Sequence, residues 1–467
     1  MGSTRIFWFG CCLSWLLAAA HGAQAEPSLD SRPNVILFVV DDMGWRDPAF
    51  MGSRFYLTPA MDAMAAGGMV FTQAYSDAPN CAPTRASLMT GRATPRHGVL
   101  TVASSSRGKA KHRRLIPIEN QTVLPDGEQT LAELLGSAGY DTWHLGKWHL
   151  GKDPRTQGFD VNVGGNHTGS PRGGHFSPYK NQKLLDGSEG EALAERLTTE
   201  AINLISGREQ GPFFMHFSHY AVHTPVQARP EEAAVFAERT PDGDQKRPDY
   251  AALLASVDRS LGRLMACLKE QEIDEQTIVI LISDNGGHGP STSMLPLRGT
   301  KGMLYEGGIR VPMVVRYPGH VKPGSSDLPV LTRDLYPSLA ALVGAPKPQH
   351  ELDGADLSGL WLGASAGPVE RSLYWHFPCY LAATSRKQGR WRTTPVGALR
   401  RGRWKLLEFF EDGHQELYDL AADPGESRDL SAEQPELIKQ LGADLARWRE
   451  QVGGRVPMEP EPAFTED

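Results

Sequence analysis

The sequence predicts an α/β fold: a mostly parallel central sheet with helices on both faces, followed by a smaller α+β domain with an antiparallel sheet. Three observations carry this. Residues 35–40 (Val-Ile-Leu-Phe-Val-Val) and 277–283 (Thr-Ile-Val-Ile-Leu-Ile-Ser) are continuous apolar, β-rich runs, the pattern of strands buried on both faces. Between them, strand-like runs alternate with stretches of helical apolar spacing, as parallel strands joined by crossover helices require. After about residue 345 the texture changes to Pro-, Gly- and Ala-rich loop, then to short strands and one final helix. The main domain is therefore drawn over residues 32–345 and the smaller one over 369–455; residues 456–467 form an acidic, Pro-rich tail expected to be flexible.

Taken in order, the first buried run ends abruptly in Asp41-Asp42. Residues 59–67 read as a helix on the sheet, and 71–74 as a short strand leading to Asn80-Cys81-Ala82-Pro83-Thr84-Arg85. Pro83 falls where a first-turn proline starts a helix, which puts Cys81 at the N-terminus and Arg85 one turn on, on the same side. Free backbone N–H groups and the helix dipole favour an anion there. A lone cysteine is more often a small buried hydrophobe; here the rest of the chain reverses that reading. Residues 129–138 are helical, stopped by Gly139, and 140–144 form a strand followed by Gly-rich loop with Lys147 and His149. Residues 158–179 are irregular loop. A helix over 192–206 precedes a buried strand over 213–218, with His223 shortly beyond. Leu253, Leu254, Val257, Leu261, Leu264 and Leu268 mark a helix over 250–271, and the strand at 277–283 ends in Asp284-Asn285. The smaller domain has strands at 373–376, 396–400, 404–410 and 415–420 and a helix at 435–451.

Net charge is −7 over 467 residues, so no global basic excess points to nucleic acid or an anionic membrane. The short basic run over 107–114 reads as a solvated loop, or as a rim contact for an anionic polymer. The N-terminus reads as a signal peptide over 1–25: Arg5, an apolar run over 6–20, and a small-x-small site at Ala23-Gln24-Ala25. The apolar run is shorter than the roughly 20 residues of a spanning helix, and no other stretch resembles a membrane span. The expectation is export to the periplasm or medium with cleavage after Ala25. Cys81, Cys267 and Cys379 then remain, an odd number that flags a special thiol. A Cys267–Cys379 disulfide stays open, and for Cys267 the buried apolar reading is favoured.

In open α/β sheets the ligand lies beyond the carboxyl ends of the strands. Asp41 and Asp42, Lys147 and His149, His223, and Asp284 and Asn285 each follow such an end. Three carboxylates and one amide are hard oxygen donors that suit Ca²⁺ or Mg²⁺, not Zn²⁺ or copper. Arg85, Lys147, His149, His223 and Lys301 add cationic and proton-donating groups. A metal ion plus several cations suits an oxyanion ester, phosphate or sulfate.

These residues resemble the sulfatase family. The run Cys81-Ala82-Pro83-Thr84-Arg85 through Gly91-Arg92 is similar to its Cys-x-Pro-Ser/Thr-Arg signature, with Thr84 in place of the also common serine. The run from Tyr140 through Gly146-Lys147-Trp148-His149 to Gly151 resembles its second signature. Further matches are residues 34–42, Val222-His223-Thr224-Pro225, Ser283-Asp284-Asn285-Gly286-Gly287, and residues 297–312 with Lys301. Residues 403–406 and 416–420 resemble the family's small C-terminal domain. The resemblance covers nearly the whole mature chain. It implies an alkaline-phosphatase-like α/β/α sandwich and a sulfuric ester hydrolase of arylsulfatase type. It implies that Cys81 is oxidised to formylglycine by a separate formylglycine-generating enzyme. One Ca²⁺ would be held by Asp41, Asp42, Asp284, Asn285 and the modified Cys81. The resemblance implies that one hydroxyl of the hydrated aldehyde would attack sulfur and expel the substrate alcohol, and that the other would then expel sulfate and restore the aldehyde. Arg85 and the metal would activate the attacking hydroxyl, Lys147 and Lys301 would hold sulfate oxygens, His223 would be the general acid and His149 would accept the proton on release. The substrate class this suggests is a sulfated carbohydrate or an aryl sulfate. Asn166, His167, Arg172, His175, His288, Arg298 and His376 lie in loops assigned to the pocket mouth. Two rivals stand beside this reading: a phosphate ester or phosphonate hydrolase on the same fold, and a non-catalytic carbohydrate-binding relative. The sugar, the sulfate position and the mode of attack along a chain are not written in these motifs.

Overall fold

The computed structural model describes residues 1–2, 32–368, 370–384 and 389–465. Apart from its first two residues, the predicted signal segment lies outside them. Nine strands form one sheet: β1 Asn34–Val40, β2 Met69–Tyr75, β3 Asp141–Gly146, β4 Val161–Val163, β5 Phe213–Ser218, β6 Thr277–Ser283, β7 Arg310–Arg316, β8 Gly324–Ser326 and β9 Val330–Leu331. Their order is β4-β3-β5-β1-β6-β7-β2-β8, with β9 also on β2. All pairings are parallel except the two made by β7, with β6 and with β2. The mostly parallel sheet is as expected. β7 went unrecognised as a strand, because Pro312 interrupts the run and Gly307 and Gly308 stand just before it.

Alternation along β1 assigns the two faces. Ile36, Phe38 and Val40 pack with Leu197 and Ala201 of helix Leu193–Ser206 and with Leu254, Val257 and Leu261 of helix Pro248–Glu270. Val35, Leu37 and Val39 pack with Ala86 and Met89 of helix Cys81–Thr90 and with Leu131 and Leu135 of helix Leu131–Ser137. Every residue of β1 is buried, which is why its sequence is continuously apolar and not alternating. Helix Leu131–Ser137 begins at a capping box: Thr130 Oγ1 accepts from Glu133 N at 3.1 Å, and Thr130 N donates to Glu133 Oε2 at 2.7 Å.

In the smaller domain, β10 Ser372–Phe377, β13 Val396–Arg401, β14 Trp404–Phe409 and β15 Gln415–Asp419 form an antiparallel sheet, with β11 Leu381–Ala382 and β12 Trp391–Thr393 as a separate pair. One face packs under Leu441, Leu445 and Trp448 of helix Pro435–Gln451. The other packs on Tyr75, Ile309 and Leu331 of the main domain. Lys405 of β14 crosses that boundary, fully buried between Glu306 and Glu426 at 2.9 Å each. The tail makes contacts with the main domain: Pro460 bridges Leu115, Glu461 N donates to Arg114 O at 3.0 Å, and Glu461 Oε2 accepts from Arg113 at 3.1 Å. Its acidic residues meet the basic run, which is thus more than a solvated loop. Cys267 and Cys379 are free and buried in separate apolar clusters, so no disulfide joins them. No helix among the described residues is long and apolar enough to cross a membrane.

Three buried histidines act against stability in acid. Burial pulls His97, His144 and His219 down to about 3, so each is neutral in the native state. Unfolded, they titrate near about 6.5 and bind more protons between these values. Stability is therefore full above the unfolded value and is lost as pH falls toward the folded one. Calorimetry should show Tm falling by roughly 10 °C between about pH 7.5 and about pH 5, with a shallower slope for His97→Gln. An unchanged slope in His97→Gln contradicts the account.

Candidate active site

Five strands that run in one direction deliver the site. β1 ends at Asp41-Asp42, β3 at Lys147, β5 leads to His223, β6 ends at Asp284-Asn285, and β2 leads to Cys81. Asn80 is the N-cap of helix Cys81–Thr90, in extended conformation, so Cys81 takes the first helical position as the Pro83 argument required. Oxygen and sulfur atoms of Asp41, Asp42, Cys81 and Asp284 all lie within 4.8 Å of one another. Asp42 also forms such a group with Cys81 and His223.

Three cations balance the three carboxylates. Lys147 Nζ is 2.7 Å from Asp41 Oδ2, Lys301 Nζ is 2.5 Å from Asp42 Oδ1, and the Arg85 guanidinium is 2.8 Å from Asp284 Oδ2. Lys301 Nζ is also 3.1 Å from Cys81 Sγ. Arg85 is fully buried; it donates to Lys147 O at 2.8 Å and to Ser218 Oγ at 2.5 Å, which ties the ends of β3 and β5 together. Asn285 Nδ2 donates to Asp42 Oδ1 at 2.8 Å.

Burial and charge work against each other here. Burial raises Asp41 to about 7 despite the pull of Lys147, with Asp284 and Asp42 adding to the rise. Burial also opposes ionisation of Asp42, but Lys301, His223 and Lys147 outweigh it and hold that carboxyl well below its ordinary range. Asp284 is lowered in the same way by Arg85 and Lys147. Burial would discharge Lys301, yet Asp42 keeps it charged. Burial pushes the encoded Cys81 thiol up to about 12, so it is protonated at neutral pH and a poor nucleophile. Burial, with Lys301 and Lys147 adding, lowers His223 to about 3 against the pull of Asp42.

The donor set fits a hard cation. Asp41 Oδ1 and Asn285 Oδ1 are buried atoms without a hydrogen-bond donor, and an uncompensated buried oxygen is costly unless something positive faces it. Three carboxylates and an amide oxygen at strand ends are donors that suit Ca²⁺ or Mg²⁺.

A cleft of about 330 Å³ opens over Cys81 and is lined by His149, His167, His223, Lys301 and Arg107, among others. His149 has φ 65°, and a Cβ on Gly169 would lie 2.4 Å from its Cε1, so glycine at 169 is what lets the facing loop approach. His223 Nε2 lies 3.8 Å from Asp42 Oδ2 while Nδ1 donates to Thr224 O at 2.8 Å. Every residue assigned to catalysis or metal binding is thus brought together. The pocket-mouth set divides. His167 lines the cleft, and Asn166 holds His149 N through its carbonyl at 3.0 Å. His175 stands behind His223, with Nε2 at 2.8 Å from His223 O. Arg172 lines a neighbouring pocket. The other three have partners outside the cleft lining. His288 is bonded to Ser291, and Arg298 is stacked on Tyr305 and donates to Tyr418 Oη at 2.7 Å, which fixes it to the smaller domain. His376 is buried in β10 with Nε2 at 2.9 Å from Arg455 O. Arg107 is the charged cleft residue missed individually; the one signal for it was the rim-contact reading of the basic run.

The sequence profile of the family described as Sulfatase matches residues 33–345, and that described as N-sulphoglucosamine sulphohydrolase, C-terminal, matches residues 300–451. A protein of Formosa agariphila named Sulfatase is 31% identical over 95% of this chain and 91% of its own length. Human arylsulfatase A is 33% identical over 97% of this chain and 89% of its own length. The crystal structure of Ps i-CgsB in complex with k-i-k-neocarrahexaose is 28% identical, with a TM-score of 0.73 over 93% of this chain and 95% of that one.

Proposed function

The chain belongs to the sulfatase family and hydrolyses sulfate esters, and we propose that its substrate is a sulfated carbohydrate, cleaved with formylglycine made from Cys81 and with one bound Ca²⁺. The observation that carries this is the meeting of Cys81 with three carboxylates and three cations under one cleft. Asp41, Asp42, Asp284, Asn285 and the modified Cys81 would hold the Ca²⁺, whose charge supplies attraction for sulfate oxygens and for a deprotonated nucleophile. Formylglycine supplies a nucleophile that is regenerated at each turnover, for which the chain depends on a converting enzyme.

The remaining roles belong to side chains in view. The carboxylates and cations are balanced, so a divalent ion leaves the site net positive toward an anionic ester. Lys147 and Lys301 hold sulfate oxygens and draw charge from sulfur. Arg85 keeps Asp284 and the Lys147 backbone in place through its bonds to both. His223 gives a proton from Nε2 to the leaving sugar oxygen, its Nδ1 proton being fixed on Thr224 O. An anionic substrate favours the charged form of this otherwise neutral imidazole. His149, across the cleft, accepts the proton when sulfate departs. Export through the segment over 1–25 fits an enzyme that meets extracellular glycans.

Release of sulfate from a panel of sulfated mono- and oligosaccharides tests the substrate class, and peptide mass of residue 81 tests the modification. The sulfate ester of a phenol should turn over at least about tenfold faster than its phosphate ester. No release from any sugar removes the carbohydrate assignment; faster phosphate hydrolysis removes the sulfatase one.

A further inference from the structure

The loop that carries His167 has a second concavity on its far side, of about 420 Å³. Its floor includes Tyr179 and Tyr220, which are 1% and 2% exposed. Their hydroxyls are already spent, Tyr220 on Gly164 O and Tyr179 on Glu191, so these buried rings close the floor and the recognition groups stand at the rim. Four exposed cations line it: Lys152, Arg172, Lys180 and Lys183. Against them stands one carboxylate in the lining, Asp153, and it is held by Arg155 at 2.7 Å and Lys183 at 3.0 Å. This concentration of positive charge belongs to a chain whose net charge is −7.

The second pocket adjoins the cleft. His167 lines both; Thr168 lines the second, and Gly169 and Ser170 line the first. The dividing wall is therefore one loop thick, and it is braced on each side. Asn166 O accepts from His149 N at 3.0 Å, and Asn166 Nδ2 donates to Asn181 Oδ1 at 3.2 Å. The second concavity is therefore within reach of the sugar next to one whose sulfate lies over Cys81.

We propose that this pocket is a second subsite, which takes an anionic group, sulfate or carboxylate, on the sugar next to the one being desulfated. The inference rests on the carbohydrate reading and narrows it: the preferred substrate is an oligosaccharide of at least two residues with at least two anionic groups. The cations around the rim match the charge of such a sugar. Binding contributed by exposed lysines is screened by salt.

The test uses the full chain with Cys81→Ala, which binds without turnover, and a sulfated hexasaccharide of defined size. Lys152→Gln, Lys180→Asn and Lys183→Gln together should raise Kd about tenfold at low salt and flatten its salt dependence. In the Cys81 background the same three changes should raise KM for the hexasaccharide about tenfold with kcat unchanged. Turnover of 4-nitrophenyl sulfate, too small to reach the second pocket, should change less than about twofold. An unchanged hexasaccharide Kd overturns the subsite. So does equal loss on the aryl sulfate, or duplex DNA binding as tightly as the glycan. Absence of sulfate release from any glycan by the unsubstituted enzyme fails the carbohydrate reading itself, and the binding series reads the subsite separately.

Discussion

Cys81→Ser is expected to take up one sulfate and stop. The serine hydroxyl occupies the first turn of the same helix, where the native sulfur lies 3.1 Å from Lys301 Nζ and within 4.8 Å of the carboxylate atoms. It is therefore in reach of a sulfur atom held by Lys147 and Lys301, and a single transfer is available to it. A serine sulfate ester has no second hydroxyl on the same carbon to expel the anion, so the adduct accumulates. Steady-state kcat should fall on the order of 10⁴-fold while a burst of up to one product per chain remains. Rapid-quench kinetics reads the burst and intact mass reads the adduct. Cys81→Ala should show neither burst nor adduct. Steady turnover by Cys81→Ser near the native rate would end the formylglycine assignment.

The parts of this site that the sequence made legible share one geometric reason. A residue just beyond a buried parallel strand has almost no freedom in where it emerges, so Asp41, Asp42, Lys147, Asp284 and Asn285 follow from the apolar runs before them. Helix position did the same for Cys81 and Arg85, whose fully buried guanidinium joins the ends of three strands. Loop residues lack that constraint. Arg298 and His376 are oriented by partners more than seventy residues away in sequence, Tyr418 and Arg455, and no local pattern announces them. The junction of the two domains was hidden for the same reason. Lys405 in a short strand looks like a surface residue until Glu306 and Glu426 are folded against it. β7 was obscured by its own Pro312 and by the glycines that precede it, although its antiparallel course alters none of the strand ends that build the site.

The largest effect after loss of Cys81 is expected at the metal donors. Without an added cation, Asp41 and Asp42 are neutralised by Lys147 and Lys301, the side chains assigned to sulfate. A lysine that serves as counter-ion to a buried carboxylate is a weaker sulfate ligand than one relieved of that duty. Chelation with EGTA should therefore lower kcat/KM by on the order of 10²-fold or more, with KM rising. Added Ca²⁺ should restore activity and raise Tm, since binding to the native state alone stabilises it by mass action. Zn²⁺ should do neither, given four hard oxygen donors. Asp284→Asn should lose both the activity and the Ca²⁺-dependent rise in Tm. Because Asp284 also pairs with Arg85 at 2.8 Å, loss of activity alone does not identify a metal ligand; loss of the Tm response does. Should Tm be indifferent to Ca²⁺ in both proteins, these carboxylates serve only to orient Arg85, Lys147 and Lys301, and the unpaired oxygens of Asp41 and Asn285 face substrate instead.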